Sequence, residues 1–592
     1  MTNRAGLSPR TLMTVGVTGH RLQRLGIENI GAVEASVEAI LVALEDAAGL
    51  ADRGDLRLIT SLAEGADAIA ADAAVERGWR LDVVLPFARE IYAHDFPPGE
   101  ARAAYDARLD ACSAIMELDS DRDAPGGDGL AYERAGRIVL AQSDLIIAIW
   151  DGEIAWGRGG AAQIVAEAVI RGIPVIHVDP KAADAPRLLW DRLHPIDRGQ
   201  QTVDTVARSD LSALPGLVAA LVTAPIDPRD RERLARFEAP MPAQRWSIAI
   251  AYSLLLAMMG VRGLRRSDID QRFDADQAGQ PIAALCATAA AFGERIRSLL
   301  AVRFAQADVA ATRAAQTFRS VYVANFALAA LAVVLSLSSL ALPGAKPVLL
   351  VLELLAIGTI LLQTHAGRRR DWHRRWLDNR QLAERLRCLA ISAQLGDLDL
   401  RNGRADAGWA DWYVRATARE VGLPMARVDT AYLDCVRASL VGLLDDQIGY
   451  LGADARRMHH LEHRLHRLGT WLFMLTAFAC VAMFCVKMLS LRFGAAETLA
   501  YQLGNAATII GAALPAIGAA IYGIRMQGDF SGTAARSREL RGQLTAVRDL
   551  LVGEPLTFDT LAARTRRVTG LLTSDVMSWI QTYEAKPLAL PG

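Results

Sequence analysis

The chain has few of the features that mark several common protein classes. Its 592 residues include only six cysteines, with no CxxC pair, and two of them lie inside one apolar run. Such cysteines are typical of buried apolar positions rather than of a disulfide framework or a metal centre. The formal net charge of −1 gives no support for binding of nucleic acid polymers. The start of the chain has no apolar stretch with a cleavage site, so we predict no secretory signal and a cytoplasmic N-terminal region.

Long apolar runs are present in the C-terminal half. Four runs, at 321–342, 347–366, 468–486 and 503–524, each have about the 17–25 residues that a helix needs to cross a bilayer. Arginines cluster on the flanks that join the large segments, whereas the short links inside each pair hold few charges. The positive-inside rule therefore predicts a multi-pass protein of the cytoplasmic (inner) membrane, with two hairpins and both termini in the cytoplasm.

Residues 11–180 alternate short apolar runs with amphipathic helical patterns. Strands are predicted at 12–17, 56–60, 81–85, 114–118, 145–150 and 175–178, with helices at 32–47, 66–77, 130–142 and 161–171. This alternation predicts a Rossmann-like parallel sheet covered by helices on both faces, with ligands at the carboxyl ends of the strands. The fold class is therefore an α/β N-terminal domain followed by an all-α membrane region with four transmembrane helices.

The same patterns divide the chain into five regions. They are an α/β domain at 1–225, a linker and helical connector at 226–290, a first hairpin module at 291–400, a cytoplasmic helical insert at 401–455, and a second hairpin module with a C-terminal helix at 456–592. Proline and charge at 226–244 indicate a linker, while 248–261 is too short for a fifth span and favours a buried or interfacial helix. One helix is predicted over 294–342, because no proline or glycine interrupts it.

Three loops that follow predicted strands carry residues suited to a phosphate. The first contains Gly16, Thr18, Gly19, His20 and Arg21. Its glycines let backbone N–H groups approach an anion, and its arginine offers a planar positive fork, although a strand-to-helix turn needs glycine in any case. It is not a Walker A loop, because no GK[ST] follows.

The other two loops also lead into helices. The second contains Ser61, Glu64, Gly65 and Asp67, and either Ser61 and Glu64 form a capping box or the helix N-terminus attracts an anion. The third is glycine-rich, and the ligand-binding residues predicted there are Asp151, Gly152, Arg158, Gly159 and Gly160. Tyr132, in the stretch 132–136, is predicted to face the same cleft or simply to begin a helix.

The ordered set GVTGHR, SLAEGADAIAADAA, LPF, AYERAG, SDLIIAIWDG and GRGGAAQIVAEAVIRGIPVIHVD resembles the SLOG superfamily over about residues 11–180. SLOG domains are Rossmann-like relatives of the LOG phosphoribohydrolases. The hairpins and their basic flanking helices, over about residues 290–400 and 455–560, resemble SLATT modules. SLATT modules are two-helix membrane effectors that are fused to SLOG sensors in bacterial conflict systems.

This resemblance implies a nucleotide-binding site, but the late glycine loop departs from the enzymes of the family. LOG enzymes carry GGT or PGGxGTxxE there, whereas this chain reads GRGGAAQIVAE. Ala161 or Ala162 replaces the threonine, and Glu167 takes the place of the family's glutamate only if the helix register allows it. We therefore expect a sensor rather than an enzyme. The expected ligand is a second messenger such as a cyclic oligonucleotide, an ADP-ribose derivative or an NAD-like molecule, and no cofactor is assigned.

The resemblance also implies a context. The expected role is a ligand-gated pore or membrane disruption in anti-phage defence, with the lipid bilayer, further copies of the chain and a second-messenger synthase encoded elsewhere as partners. The alternative is a membrane-anchored nucleotide or N-glycosidic hydrolase that uses Glu64 and Glu133, with Asp67, Asp151 and Glu167 as further carboxylates. A transporter or a purely structural protein fits less well, because the spans hold few polar residues and the strand-end loops are intact.

Two groups of polar residues near the spans allow opposing interpretations. Glu353, in the middle of the second run, either lines a pore in an oligomer or is a neutral carboxyl bonded between helices, for example to Asn325. His459, Glu462 and His463 spell H-x-x-E-H, the pattern of some zinc proteases. Neighbouring arginines oppose a cation and no third ligand is evident, so we predict no metal site.

Overall fold

A single sheet forms the centre of the α/β domain. The computed structural model describes residues 6–50, 52–124, 126–153, 157–191, 201–239, 241, 246–247, 249–270, 273–285, 290–399, 408–493, 497–588 and 590. Among these residues the sheet has nine strands in the order β8-β7-β6-β5-β1-β2-β3-β4-β9. From β1 to β9 the strands are Met13–Gly19, Leu56–Thr60, Arg80–Leu85, Ala114–Leu118, Leu145–Ile149, Val175–Val178, Arg187–Leu189, Arg208–Ser209 and Ala426–Val428.

The predicted parallel sheet is confirmed. Strands β1 to β6 all run parallel, within about two residues of their predicted bounds, and their side chains are almost all buried. Burial on both faces explains why they read as continuous apolar runs. The short strands β7 and β8 extend one edge in the antiparallel sense. The sheet therefore grows from β1 in two directions, toward β4 through β2 and toward β6 through β5.

Helices cover both faces of this sheet. From α1 to α8 they are Leu22–Leu25, Ile30–Ala48, Ala66–Glu76, Arg89–Tyr92, Glu100–Asp110, Gly127–Gln142, Ala161–Arg171 and Leu214–Val222. Two separate clusters of buried apolar side chains fill the two interfaces between sheet and helices. The cluster that contains α6 and α7 continues into the helical C-terminal region, whereas the cluster that contains α2 and α3 stays within the α/β domain.

The stretch predicted as a linker is partly structured. Helix α9, Pro228–Glu238, lies inside 226–244 and is capped by Asp227, whose carboxylate accepts from the N–H groups of Arg229 and Asp230. Phe237 is buried against Trp409 and Tyr413. Residues 240 and 242–245 lie outside the described part. Short helices follow, from α10 to α13, at Ala251–Met258, Arg266–Ile269, Ala275–Ala283 and Ala290–Ile296.

Long helices make up most of the described residues after 301. From α14 to α21 they are Val302–Ala341, Lys346–Arg369, Trp372–Ser392, Trp409–Val421, Thr430–Phe493, Glu497–Gly528, Phe530–Gly553 and Phe558–Glu584. Four of these helices, α14, α15, α18 and α19, are long and apolar enough to cross a membrane, as predicted. The uninterrupted helix predicted over 294–342 contains a π turn at Arg297–Ala301.

One helix crosses the predicted boundary at residue 455. Helix α18 runs without interruption from Thr430 through the third apolar run, so the supposed insert and the second hairpin module are continuous. The strand before it, β9, pairs in parallel with β4, with Met116 opposite Ala426 and Leu118 opposite Val428. Only Asp429 separates β9 from α18. The α/β sheet and the third span are therefore joined through one short connection.

Candidate functional site

The carboxyl ends of β1 and β5 meet at the point where the sheet changes direction, which is where open α/β sheets bind ligands. His20 follows β1 and is buried, and its Nε2 lies 2.9 Å from Oδ1 of Asp151, which follows β5. Arg24 donates to the same carboxylate from Nε at 2.8 Å. Burial opposes ionisation of Asp151, but the bonds from His20, from the Glu153 N–H and from Arg24 outweigh it and lower the pKa of Asp151.

The glycines of the first two loops are required by close packing. A Cβ on Gly19 would lie 2.4 Å from Cβ of Ala66 and 2.6 Å from the carbonyl oxygen of Ile149. A Cβ on Gly65, whose φ is +106°, would lie 2.7 Å from the carbonyl oxygen of His20. Gly16 likewise faces Ser143. Thr18 lies half-buried within β1, opposite Ala148. These glycines therefore bring the ends of β1, β5 and α3 together.

Of the two alternatives for the second loop, the capping box is contradicted. Helix α3 begins at Ala66 with Gly65 as its N-cap, and no side chain caps it, so Ser61 and Glu64 do not form that motif. Residues 61–65 separate β2 from α3, and Leu62 among them adopts a left-handed φ of +57°. A buried leucine in that region is strained, and strain of this kind is often found at functional sites.

Asp67 lies in the first turn of α3 and is buried. Its Oδ2 accepts from the N–H of Ala63 at 3.3 Å, and Thr60 and Ser61 also bond to it. Burial raises the pKa of Asp67 to about 6, although these bonds and the nearby charge of Arg21 oppose that shift. A pKa near 6 means that Asp67 changes its charge at mildly acidic pH.

A second polar cluster contains Arg21, whose charge acts on Asp67. Arg21 donates to the hydroxyl of Tyr132 at 2.9 Å and to Oδ2 of Asp95 at 3.2 Å. Tyr132 and Arg122 both donate to the same Asp95 carboxylate. The guanidinium of Arg122 also lies 4.3 Å from the ring centre of Phe87, and that of Arg21 lies 5.3 Å from the ring centre of Tyr132. Two arginines and a tyrosine hydroxyl therefore surround one carboxylate.

This arrangement pairs a carboxylate with two guanidinium groups and a hydroxyl, which are donors that also suit a phosphate. The side chain of Arg21 is 50% exposed, so it remains accessible from solvent.

Sequence reasoning missed Asp95, Arg122 and Arg24. Arg122 follows β4 in a loop that precedes the glycines at 126 and 127, so its position was a usable signal. Asp95 lies ten residues after β3, in a 3-10 turn that follows α4, where no strand-end pattern marks it. Arg24 lies only three residues beyond the first loop.

The third loop packs onto helix α6. Arg158 and Arg137 both pair with the buried carboxylate of Glu133, and the side chain of Arg158 is 59% exposed. The N–H of Gly159 donates to the side-chain oxygen of Gln163 at 2.8 Å. Gly160 caps α7, and Gly152 adopts a φ of +80° beside the Asp151 network. Residues 154–156 lie outside the described part of the chain.

The carboxylates of the hydrolase alternative lie in different surroundings. Glu133 is held between two arginines, and Glu167 pairs with Arg137 and Arg171. Glu64 lines a cleft of about 630 Å³ between α2, α3 and α5. The other charged residues of that cleft are Glu34, Glu38, Asp72, Glu76 and Arg108. This acidic cleft is unsuited to a phosphate.

In the membrane helices, Asn325 has a different partner from the one that the sequence suggested. It is buried and donates to Oγ1 of Thr364 at 3.1 Å. Glu353 lies eleven residues before Thr364 on α15, about 16 Å away along the axis, so Asn325 does not contact it. The Glu462 of the H-x-x-E-H stretch pairs with Arg525. No cluster of metal-binding side chains occurs among the described residues.

Comparison with known proteins finds no matching family model and no matching curated protein.

Proposed function

We propose that the chain is a membrane effector that senses a nucleotide-derived second messenger at the strand ends of its α/β domain. The observation that carries this proposal is the pair of arginines, Arg21 and Arg122, that surround Asp95 at the carboxyl edge of the sheet. The ligand's phosphate displaces Asp95 and takes its bonds. Its ribose and base extend toward the His20–Asp151 pair in the crevice between β1 and β5.

Two connections link this site to the membrane helices. Strand β9 pairs with β4, and β9 leads directly into α18, whose 64 residues extend roughly 96 Å. In addition Arg134, two residues after Tyr132 on α6, donates from Nε to Asp559 at 2.8 Å in the first turn of α21. A shift of β4 or α6 on ligand binding therefore displaces helices of the bundle.

In this proposal the bundle opens a pore or disrupts the bilayer when the ligand binds. The ligand must bind the open arrangement more tightly than the closed one, because otherwise it shifts no equilibrium. Two hairpins per chain enclose little space, so the active form is a homo-oligomer. The resemblance to SLOG and SLATT modules supports a place in the cytoplasmic (inner) membrane with both termini inside, and a role in anti-phage defence beside a second-messenger synthase.

A second candidate function is hydrolysis of the bound nucleotide. Asp67 favours it, because a carboxyl whose pKa lies near 6 can donate or accept a proton at neutral pH. The departure of GRGGAAQIVAE from the LOG pattern and the pairing of Glu133 with Arg158 and Arg137 weigh against it.

Ligand binding by the full-length protein in nanodiscs tests the proposal. The thermal midpoint is measured with cyclic oligonucleotides, ADP-ribose and its cyclic isomers, and NAD, and the ligand is then recovered for mass spectrometry. We expect one ligand to raise the midpoint, to be recovered intact, and to lose its effect in Arg21→Ala. The same ligand should release dye from proteoliposomes. Recovery of a cleaved product would instead identify a hydrolase.

Arg102→Ala is the matched control. Arg102 is 39% exposed, pairs with Asp106 at 3.1 Å, and lies 5.8 Å from the ring centre of Tyr105, so it has the same kinds of contact as Arg21 on a helix outside the crevice. The Arg102→Ala variant should keep the full ligand-induced rise in thermal midpoint. Equal losses in Arg21→Ala and Arg102→Ala, or a flat response to the whole panel, would contradict a strand-end site for these ligands.

A further inference from the structure

Residues 249–269, named here the collar segment, lie against the domain-side ends of the membrane helices. Gln316 of α14 donates from its side chain to the carbonyl oxygens of Ala249 at 3.1 Å and Asp268 at 2.8 Å, so it holds both ends of the segment. Ser320 donates to Ala249 O at 2.7 Å and accepts from the N–H of Tyr252 at 3.3 Å. The first apolar run begins one residue later, at Val321.

The collar segment also contacts the third and fourth spans at the same level. Arg464, four residues before the third apolar run, donates to the carbonyl oxygen of Met259. Tyr252 and Leu256, on the buried face of α10, belong to one apolar cluster that includes Phe318, Tyr322, Leu461, Leu465, Ile521 and Ile524. These partners come from α14, α18 and α19, close to where each helix enters or leaves its apolar run. The segment therefore lies at the boundary of the apolar belt.

The opposite face of the collar segment is apolar and exposed. Leu254 is 43% exposed, Met258 70% and Leu264 51%, and Trp246 just before the segment is 66% exposed. The apolar surface continues beyond Arg464 on α18, where Trp471 is 70% exposed. A large exposed apolar patch that is continuous with membrane-spanning surface is typical of contact with lipid.

The charge of the segment fits the surface of an anionic membrane. Arg265 and Arg266 are exposed beside Leu264. The single acidic residue between 249 and 269 is Asp268, which is buried and pairs with Arg262 at 2.5 Å. The exposed charge is therefore positive, and it flanks the apolar side chains as in interfacial amphipathic helices.

We propose that the collar segment is embedded in the headgroup layer of the bilayer, with Leu254, Met258 and Leu264 among the upper acyl chains and Arg265 and Arg266 on anionic lipid headgroups. Trp246 lies at the same depth, where the amphipathic indole is favoured. The segment joins the ends of three spans, so anionic lipid bound there stabilises one arrangement of the bundle. This proposal does not depend on the nucleotide site.

Fluorescence quenching by brominated lipids tests it on the full-length protein. The tryptophan emission is compared in proteoliposomes with bromines near the headgroup or near the bilayer centre, in wild type and in Trp246→Phe. We expect the Trp246 contribution to be quenched more strongly by the shallow bromines. Met258→Trp in the Trp246→Phe background places a second reporter on α10 and should show the same depth. Trp471→Phe should remove a part of the tryptophan emission that the brominated lipids also quench. Quenching of Trp471 shows that the lipids reach the membrane helices.

Two comparisons make the result decisive. Ile27→Trp in the Trp246→Phe background keeps the number of tryptophans and places one at a site that is 86% exposed in the α/β domain, so its contribution should stay unquenched. Quenching of Trp246 should increase when brominated phosphatidylglycerol replaces brominated phosphatidylcholine. The double variant Arg265→Gln/Arg266→Gln should lower this preference for the anionic lipid by up to roughly 30-fold. An unquenched Trp246 beside a quenched Trp471 would overturn the proposal, as would equal quenching by both lipids.

Discussion

At the scale of single residues, Asp67 combines burial with a position near the charge of Arg21, which belongs to the proposed ligand site. Burial raises its pKa from the ordinary 3.8 to about 6, so the folded protein holds a proton there that the unfolded chain has already released at pH 5. The stability linked to this proton is fully present below about pH 4 and is lost as the pH rises through 6. At neutral pH the folded protein therefore carries an ionised carboxyl in an unfavourable place.

Asp67→Asn should consequently stabilise the protein at neutral pH. A pKa difference of about two units corresponds to at most about 3 kcal/mol, and loss of the bonds to Ala63 and Thr60 lowers that gain. We expect the difference in thermal midpoint between the variant and wild type to be larger at pH 7.5 than at pH 4.5. Differential scanning fluorimetry of the full-length protein measures it.

Asp72→Asn serves as the control on the same helix, because Asp72 is 49% exposed and pairs with Arg108. Its midpoint difference should show no comparable rise with pH. A pH-independent difference for Asp67→Asn would show that the carboxyl is not protonated in the folded protein at pH 4.5.

The residue scale also shows what sequence patterns can and cannot locate. Gly19, Gly65 and His20 lie at the strand ends as predicted, because strand-to-helix turns in parallel sheets have a strong local signature. The pairing of Arg158 with Glu133 was not predictable, because Glu133 lies on α6 and only the fold brings the third loop to that helix. Asp95 and Arg122 meet for the same non-local reason.

At the scale of elements, β9 is the feature that the sequence concealed. Its three residues, Ala426–Val428, are too few to establish a period, so pairing with the edge of β4 rather than local preference makes them a strand. The six parallel strands were predictable as short apolar runs between helical patterns, and the four apolar helices were predictable from their length. The continuity of α18 across residue 455 was not predictable, because a polar helical segment and an apolar one join there without a break.

Val428→Ala should weaken the connection between the sheet and α18. Val428 is only 3% exposed and packs in the cluster that extends across both regions, so removing two methyl groups costs about 2 kcal/mol. We expect a lower thermal midpoint. We also expect a higher ligand concentration for half-maximal dye release, while ligand binding to the strand-end site is retained.

Arg427→Ala separates this effect from a general loss of contacts at β9. Arg427 is 48% exposed and pairs with Asp119 at 3.1 Å, and a surface pair of this kind contributes at most about 1 kcal/mol. Its dye-release curve should match wild type. If Val428→Ala releases dye at the wild-type ligand concentration despite its lower midpoint, then the signal does not pass through β9.

At the scale of the whole molecule, helix α15 presents an apolar surface that a single chain leaves exposed. Its apolar side chains at Leu350, Leu354, Leu355 and Leu362 are each more than half exposed, and α14 is its main neighbour. Lipid can cover these leucines. Glu353 lies among them on the same helix, half-buried, and a carboxylate that faces lipid is costly. In the proposed homo-oligomer the carboxylates of neighbouring copies instead face a water-filled path.

Glu353→Gln should therefore change ion selectivity rather than ligand binding. A ring of carboxylates favours cations, so its neutralisation should move the reversal potential of ligand-activated current toward zero under a potassium chloride gradient across a planar bilayer. Thr359→Val is the control one and a half turns along α15, because the Thr359 hydroxyl bonds to the carbonyl oxygen of Leu355 in its own helix at 2.7 Å. It should leave the reversal potential unchanged. A different result would be an unchanged reversal potential in Glu353→Gln together with a raised thermal midpoint in Glu353→Leu. In that case the carboxyl faces lipid in its neutral form, and the path for ions lies along the faces of α18 and α19.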